Sequence, residues 1–110
     1  MNINEQLDEM EATLKAGLKG TIVSVEETSS AKFYGSKEFG DRKGIAATVE
    51  LNEKHPEKEF QVNEFFGLPE IGGYYKSNIY AFKKRYGKAP EKGLVVKLKM
   101  SENGFWQIEY

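Results

Sequence analysis

The spacing of hydrophobic positions changes along the chain, and each change marks an element. In residues 2–16, Ile3, Leu7, Met10 and Leu14 recur four, three and four apart, the single stripe of an amphipathic helix. Asn2 is placed to cap its first turn, with Glu5 three residues later in the capping-box position, and Gly17 supplies a left-handed stop. The stripe is as narrow as a coiled-coil seam and spans about two heptads, too short for a helix stable alone in water. From residue 18 the period is two. Residues 18–26 are a β-branched run in which an early glycine, Gly20, permits a bend. In residues 44–51, Ile45, Ala47, Val49 and Leu51 alternate with Ala46, Thr48 and Glu50. Residues 58–63 alternate again, Phe60 and Val62 inward and Gln61 and Asn63 outward, after the polar turn N-E-K-H-P-E.

Residues 64–76 mix aromatics with G-L-P and I-G-G, which predicts an ordered loop rather than a strand. A second helix follows over 77–87, with Ser77 as N-cap, Ile79, Phe82 and Tyr86 as its apolar stripe, and Gly87 as its stop. Lys83, Lys84 and Arg85 occupy its last turn, where the helix dipole favours cations. In 93–100, Leu94, Val96, Leu98 and Met100 alternate with Val95, Lys97 and Lys99. The turn S-E-N-G contains the strong hairpin dipeptide Asn103-Gly104, and F-W-Q-I-E-Y forms the last strand with Trp106, Ile108 and Tyr110 inward. This order is helix, three strands, helix, two strands. It resembles the OB-fold, a partly open five-stranded barrel. The resemblance covers residues 18–110 and rests on the order and spacing of elements. The expected fold is therefore mainly β (α+β by content), an OB-like five-stranded antiparallel barrel. It has a helix between strands 3 and 4 and an extra N-terminal amphipathic helix, in a single domain, 1–110. Phe65, Phe66, Tyr74 and Tyr75 are expected to seal the barrel end.

Composition narrows the function classes. The chain has 110 residues, the size of one domain with a core of its own. It has no Cys, which excludes a disulfide scaffold, Cys-based zinc sites and thiol catalysis. The longest apolar runs are a few residues, so no membrane span is expected and the chain reads as soluble and cytoplasmic. A formal net charge of −1 argues against a uniformly basic coat. That total is a cancellation. Residues 1–16 and 17–75 each carry −3, residues 100–110 carry −2, and residues 76–99 carry +7.

Catalytic chemistry finds no support. His55 is the one His and lies in the polar turn, with no second His or Cys to share a metal. Carboxylates fall in solvated runs such as Glu26-Glu27, Glu57 with Glu59, and the first helix, without the burial that tunes a general acid or base. Residues 35–40, G-S-K-E-F-G, have the glycine spacing of a phosphate loop. Asp41 and Arg42 stand where Lys and Ser or Thr would hold phosphate and magnesium. No catalytic residue, metal or cofactor is assigned, and the chain is expected not to be an enzyme.

Binding finds more. Within residues 27–43, Lys32, Phe33, Tyr34, Lys37, Phe39, Arg42 and Lys43 interleave aromatic and basic side chains among Gly and Ser. Single-stranded nucleic acid calls for that combination, because cations follow the phosphates while aromatic faces stack on bases. A long flexible loop suits a flexible strand better than a duplex. The OB resemblance implies a surface made of residues 30–43, the outward Thr48, Gln61 and Asn63, and the S-E-N-G turn. Lys83, Lys84 and Arg85 form a second electrostatic track. The expected function is non-catalytic binding of single-stranded nucleic acid, DNA ahead of RNA. Two alternatives stay open. Phe33, Tyr34 and Phe39 fold back on the barrel as a satellite core, or the chain is a protein-interaction module or subunit. In the second case Ile3, Leu7, Met10 and Leu14 dock on a partner or on a second copy, unless that seam simply caps the barrel.

Overall fold

The computed structural model describes residues 2–38, 40–52 and 61–110. His55, Phe60 and Phe39 lie outside the described residues. The elements are α1 (Ile3–Ala16), β1 (Leu18–Ser29), α2 (Ser30–Tyr34), β2 (Lys43–Leu51) and β3 (Gln61–Gly67), then a 3-10 helix (Ile71–Lys76), α3 (Asn78–Tyr86), β4 (Val95–Met100) and β5 (Trp106–Ile108). All pairings are antiparallel and the sheet order is β3-β2-β1-β4-β5. The two outer strands, β3 and β5, curl round into contact, so the sheet is a nearly closed five-stranded barrel, as its alternation predicted.

Strand β1 is long enough to pair with β2 along most of its length and with β4 at its start. Its register shifts between Ile22 and Ser24, a bulge that lets one strand serve both sides of the barrel. Gly20 faces inward where the strand bends, and a Cβ there would stand 2.5 Å from Val49 Cγ1. The core is Ile22, Ala47, Val49, Val62, Phe66, Phe82, Val96, Leu98 and Ile108. These are the inward positions of the period-two runs plus one residue of α3. Trp106 and Tyr110 pack against that core as expected, whereas Met100 is exposed.

Helix α3 plugs one end. Ser77 accepts from the Tyr80 amide at 3.2 Å and Gly87 ends the helix with φ of 84°, so both stop signals act as read from sequence. The Phe82 ring meets Phe66 edge-on at 5.5 Å. The Tyr86 hydroxyl donates to the Glu109 carbonyl at 2.6 Å and accepts from the Lys97 amide at 3.1 Å, tying the helix to the last two strands.

Two sequence readings are corrected. Residues 64–67 continue β3 instead of starting a loop, and 71–76 form a 3-10 helix. The period runs Val62, Glu64, Phe66 inward and Gln61, Asn63, Phe65 outward. Phe66 does close the core, but Phe65 faces out, Tyr75 is exposed, and Tyr74 is half-buried with it against Tyr80. Likewise β1 runs to Ser29, and the segment after it is not a flexible loop but opens with α2.

Glu64 is a polar residue in an inward slot, and it closes the barrel. Its Oε1 accepts from the Ile108 amide at 3.2 Å, replacing a ladder bond between β3 and β5. Burial raises the Glu64 carboxyl above its ordinary value, and the Ile108 amide and the Tyr110 hydroxyl only partly offset this. Oε2 is buried with no hydrogen-bond partner among the described residues. Burial first, and then the neighbouring Glu64 carboxylate, push the Tyr110 hydroxyl up. A carboxyl raised in the folded state binds its proton more tightly there, so its ionisation lowers stability as pH rises past the unfolded value near 4.5. Glu64→Gln keeps the acceptor for Ile108 and removes the charge. Its stability relative to the wild type is expected to improve between about pH 4 and 7, read by urea unfolding at both ends. A difference independent of pH would contradict the assignment.

Helix α1 starts as predicted, with Asn2 Oδ1 accepting from the Glu5 amide at 2.9 Å. It does not cap the barrel. None of its residues is buried, and its principal neighbour is β4. The projection lengthens the molecule to 52 × 32 × 25 Å. The Cα radius of gyration is 15.9 Å, against about 13 Å for a compact domain of this size.

Candidate nucleic-acid interface

The segment joining β1 to β2 is built by short-range caps and one long-range clasp. Ser29 Oγ accepts from the Lys32 amide at 3.3 Å, and Gly35 ends α2 in the left-handed region with φ of 70°. The returning chain is clasped by Ser30, whose amide donates to the Arg42 carbonyl and whose hydroxyl accepts from the Arg42 amide, both at 2.8 Å. The Ala31 amide donates to Asp41 Oδ1 at 3.4 Å. A hydrogen bond from the Ser29 hydroxyl is the main influence lowering the Asp41 carboxyl, with the Ala31 amide and the charges of Lys37 and Lys32 acting the same way.

This scaffold sets two aromatic side chains of α2 against one of β3. The Phe33 ring lies 5.6 Å from Phe65 at 33°, and Tyr34 stands edge-on to both, 4.9 Å from Phe33 and 5.9 Å from Phe65. Phe65 in turn lies over Gly44 on β2. Phe33 is half-buried in this cluster, so the satellite-core reading describes that ring. Tyr34 is different: it remains 66% exposed on top of the cluster.

The cations distribute around this cluster unequally. The Arg42 side chain packs across Gly67 at the end of β3. Lys32 and Lys43 line an adjoining cleft of about 610 Å³ together with Glu27, Asp41, Ile45 and Ile79. Lys37 is exposed in the turn after α2. Lys83, Lys84 and Arg85 project from the last turn of α3 and do not line that cleft, and the Arg85 guanidinium sits over the Tyr86 ring at 5.2 Å. The structure therefore groups Lys32, Phe33, Tyr34, Arg42 and Lys43, with Lys37 nearby in the chain. It leaves the α3 cations as a separate patch.

The outward sheet face holds Gln61 and Asn63 where the alternation placed them, but their polar groups are engaged. Thr48 Oγ1 donates to Asn63 Oδ1 at 2.8 Å, and Gln61 Nε2 donates to Glu50 Oε1 at 2.9 Å. Glu50, opposite Gln61, and Glu26, in the Ala46–Phe65 row, are exposed on the same face, one towards each end of it. The S-E-N-G turn closes on itself through Ser101 and Phe105.

Sequence reading missed Phe65 as part of the cluster. The signal that finds it is the outward series Gln61, Asn63, Phe65, extended past the polar Glu64. Among the described residues no three His, Cys, Asp or Glu come together as a metal site, and no helix is long and apolar enough to cross a membrane. Comparison with protein-family models, with curated proteins and with solved structures finds no match to this chain.

Proposed function

We propose that this barrel binds single-stranded nucleic acid without catalysis, with DNA the preferred ligand. The observation that carries the reading is Tyr34, an exposed ring held on a Phe33–Phe65 base, with Arg42 across Gly67 at the end of the same strand as Phe65. A stacking ring must present a face to solvent while its backbone stays fixed, because ordering a loose ring on binding would cost much of the stacking gain. The Ser30–Arg42 clasp and the packing on Phe65 supply that fixation. In this scheme Tyr34 stacks on a base and Phe33 and Phe65 position it. Lys32, Lys37, Arg42 and Lys43 contact phosphates, and Gln61 and Asn63 border the path. Lys83, Lys84 and Arg85 draw the strand in from farther away.

The test is fluorescence anisotropy with a labelled oligothymidine across a salt series. Log affinity is expected to fall linearly with log salt, with a slope of about −0.7 per contacted phosphate. Tyr34→Ala is expected to lose about 1–3 kcal/mol of binding, the worth of one stacked base, with its unfolding curve nearly unchanged. Absence of binding to DNA and RNA oligomers at low salt and micromolar protein would overturn the reading.

A further inference from the structure

Two exposed apolar surfaces are left without a role by that scheme, which uses only Lys83 and Lys84 at the rim of the second, and the two are complementary. The first is the α1 seam, where Ile3, Leu7, Met10 and Leu14 are between 43% and 65% exposed. The second is the corner where the 3-10 helix meets α3. There Tyr74, Tyr75 and Tyr80 pack pairwise with ring centroids 5.0–5.4 Å apart. Ile71 is 98% exposed and Tyr75 78% exposed on this corner. Lys76 follows Tyr75 directly, and Lys83 and Lys84 stand three and four residues after Tyr80, on the same face of α3. Isolated exposed apolar residues are ordinary, but a contiguous apolar group rimmed by charge marks a contact surface.

Charge decides what fits there. Helix α1 carries Glu5, Asp8, Glu9 and Glu11 against Lys15, a net of −3, and Glu11 flanks the seam next to Met10. Two such helices laid seam to seam would bring like charge together over about two heptads, which is marginal even when the charges agree. Tyr80 and the lysines of the tyrosine corner belong to the segment 76–99 with net +7, whereas Ile71, Tyr74 and Tyr75 come just before it, after Glu70. Of the cations in that segment, Lys88 pairs with Glu91 and Lys97 with Glu109, while Lys76, Lys83 and Lys84 have no carboxylate partner among the described residues. The chain's own α1 has no buried residue and thus does not cover this corner.

We propose that α1 of one copy docks, apolar seam inward, on the Ile71–Tyr75–Tyr80 corner of a second copy, with Lys76, Lys83 and Lys84 facing its acidic flank. Reciprocal exchange of the two helices makes a closed two-fold dimer, so the contact does not propagate into a filament. One short helix on a small patch lies at the low end of interface size, so the dimer is weak and salt-sensitive.

Size-exclusion chromatography with light scattering on the full chain tests this without any nucleic acid. At low salt and rising concentration the mass is expected to move from 12.5 kDa towards twice that value, and to return at high salt. Leu7→Asp and Ile71→Asp alter exposed side chains, and circular dichroism is expected to show both folded. Each alone is expected to hold the mass at the monomer value. An equimolar mixture is expected to recover part of the dimer, because one intact helix then meets one intact corner. Three results would overturn the proposal. One is a wild-type monomer at all concentrations. Another is a dimer lost with Leu7→Asp but kept with Ile71→Asp, which means seam-to-seam pairing. The third is a monomer whose Ile71 and Tyr75 NMR signals shift on adding oligothymidine, which makes the corner a nucleic-acid surface.

Discussion

Phe66→Ala is expected to destabilise the fold by about 3–5 kcal/mol, the range for removing a fully buried aromatic ring. Its side chain is wholly buried and touches the two groups that close the barrel, the Phe82 ring of α3 at 5.5 Å and the Tyr110 ring after β5 at 5.6 Å. Loss of the ring leaves a cavity with the strand behind it and the plug in front of it. Neither is free to collapse inward, since Tyr86 ties α3 to β4 and to Glu109 through hydrogen bonds. Small domains are stable by roughly 5–15 kcal/mol in all, so this one change removes a large share. Phe65→Ala, one residue away on the opposite face, serves as the contrast. It loses little stability but removes the support of Tyr34, so oligonucleotide affinity falls while the urea midpoint moves slightly. Equal effects of the two substitutions on stability would show that β3 does not alternate as described.

That contrast also shows where the sequence was legible. Alternation in 44–51 and 93–100, the caps at Ser77 and Gly87, and the Asn103-Gly104 turn are local signals, and the barrel follows their order. The end of β3 is hidden in sequence by the mix of aromatics with G-L-P and I-G-G after residue 63, and by Glu64, which occupies an inward position where a period-two reading expects an apolar residue. Only the Ile108 amide, 44 residues later in the chain, explains it. Helix α2 was invisible for a related reason. Five residues give no period, and the clasp that holds the segment joins Ser30 to Arg42 across the turn. The aromatic and basic composition of 27–43 was legible, but not which ring would be buried. Phe33 and Tyr34 are adjacent and chemically alike, and the choice between them is made by Phe65, a contact between α2 and a strand distant in sequence. The tyrosine corner was hidden likewise, because Tyr80 falls off the α3 stripe of Ile79, Phe82 and Tyr86 that reads as core.

Gly44→Ala is expected to damage the fold and the candidate site together. Gly44 pairs with Gly67 across β2 and β3, and with Thr28 on β1. A Cβ built on Gly44 would press on the Phe66 carbonyl oxygen and stand 2.7 Å from Phe65 Cζ. The carbonyl belongs to a paired strand and cannot rotate away as a side-chain tip can. The strands must separate locally or the Phe65 ring must leave its place. Overpacking of this kind costs about 1–3 kcal/mol, and with backbone on one side the upper end is expected. The displaced ring is the one on which Phe33 and Tyr34 rest, so oligonucleotide binding should weaken even where the protein remains folded. Urea unfolding and anisotropy on the same variant separate the two effects. A fall in stability with affinity unchanged would mean that Tyr34 does not depend on Phe65 for its position. Gly35→Ala supplies the comparison, because a Cβ there meets no atom within 4 Å and its strain comes only from φ of 70°. It is expected to cost about 1 kcal/mol, through the end of α2 alone.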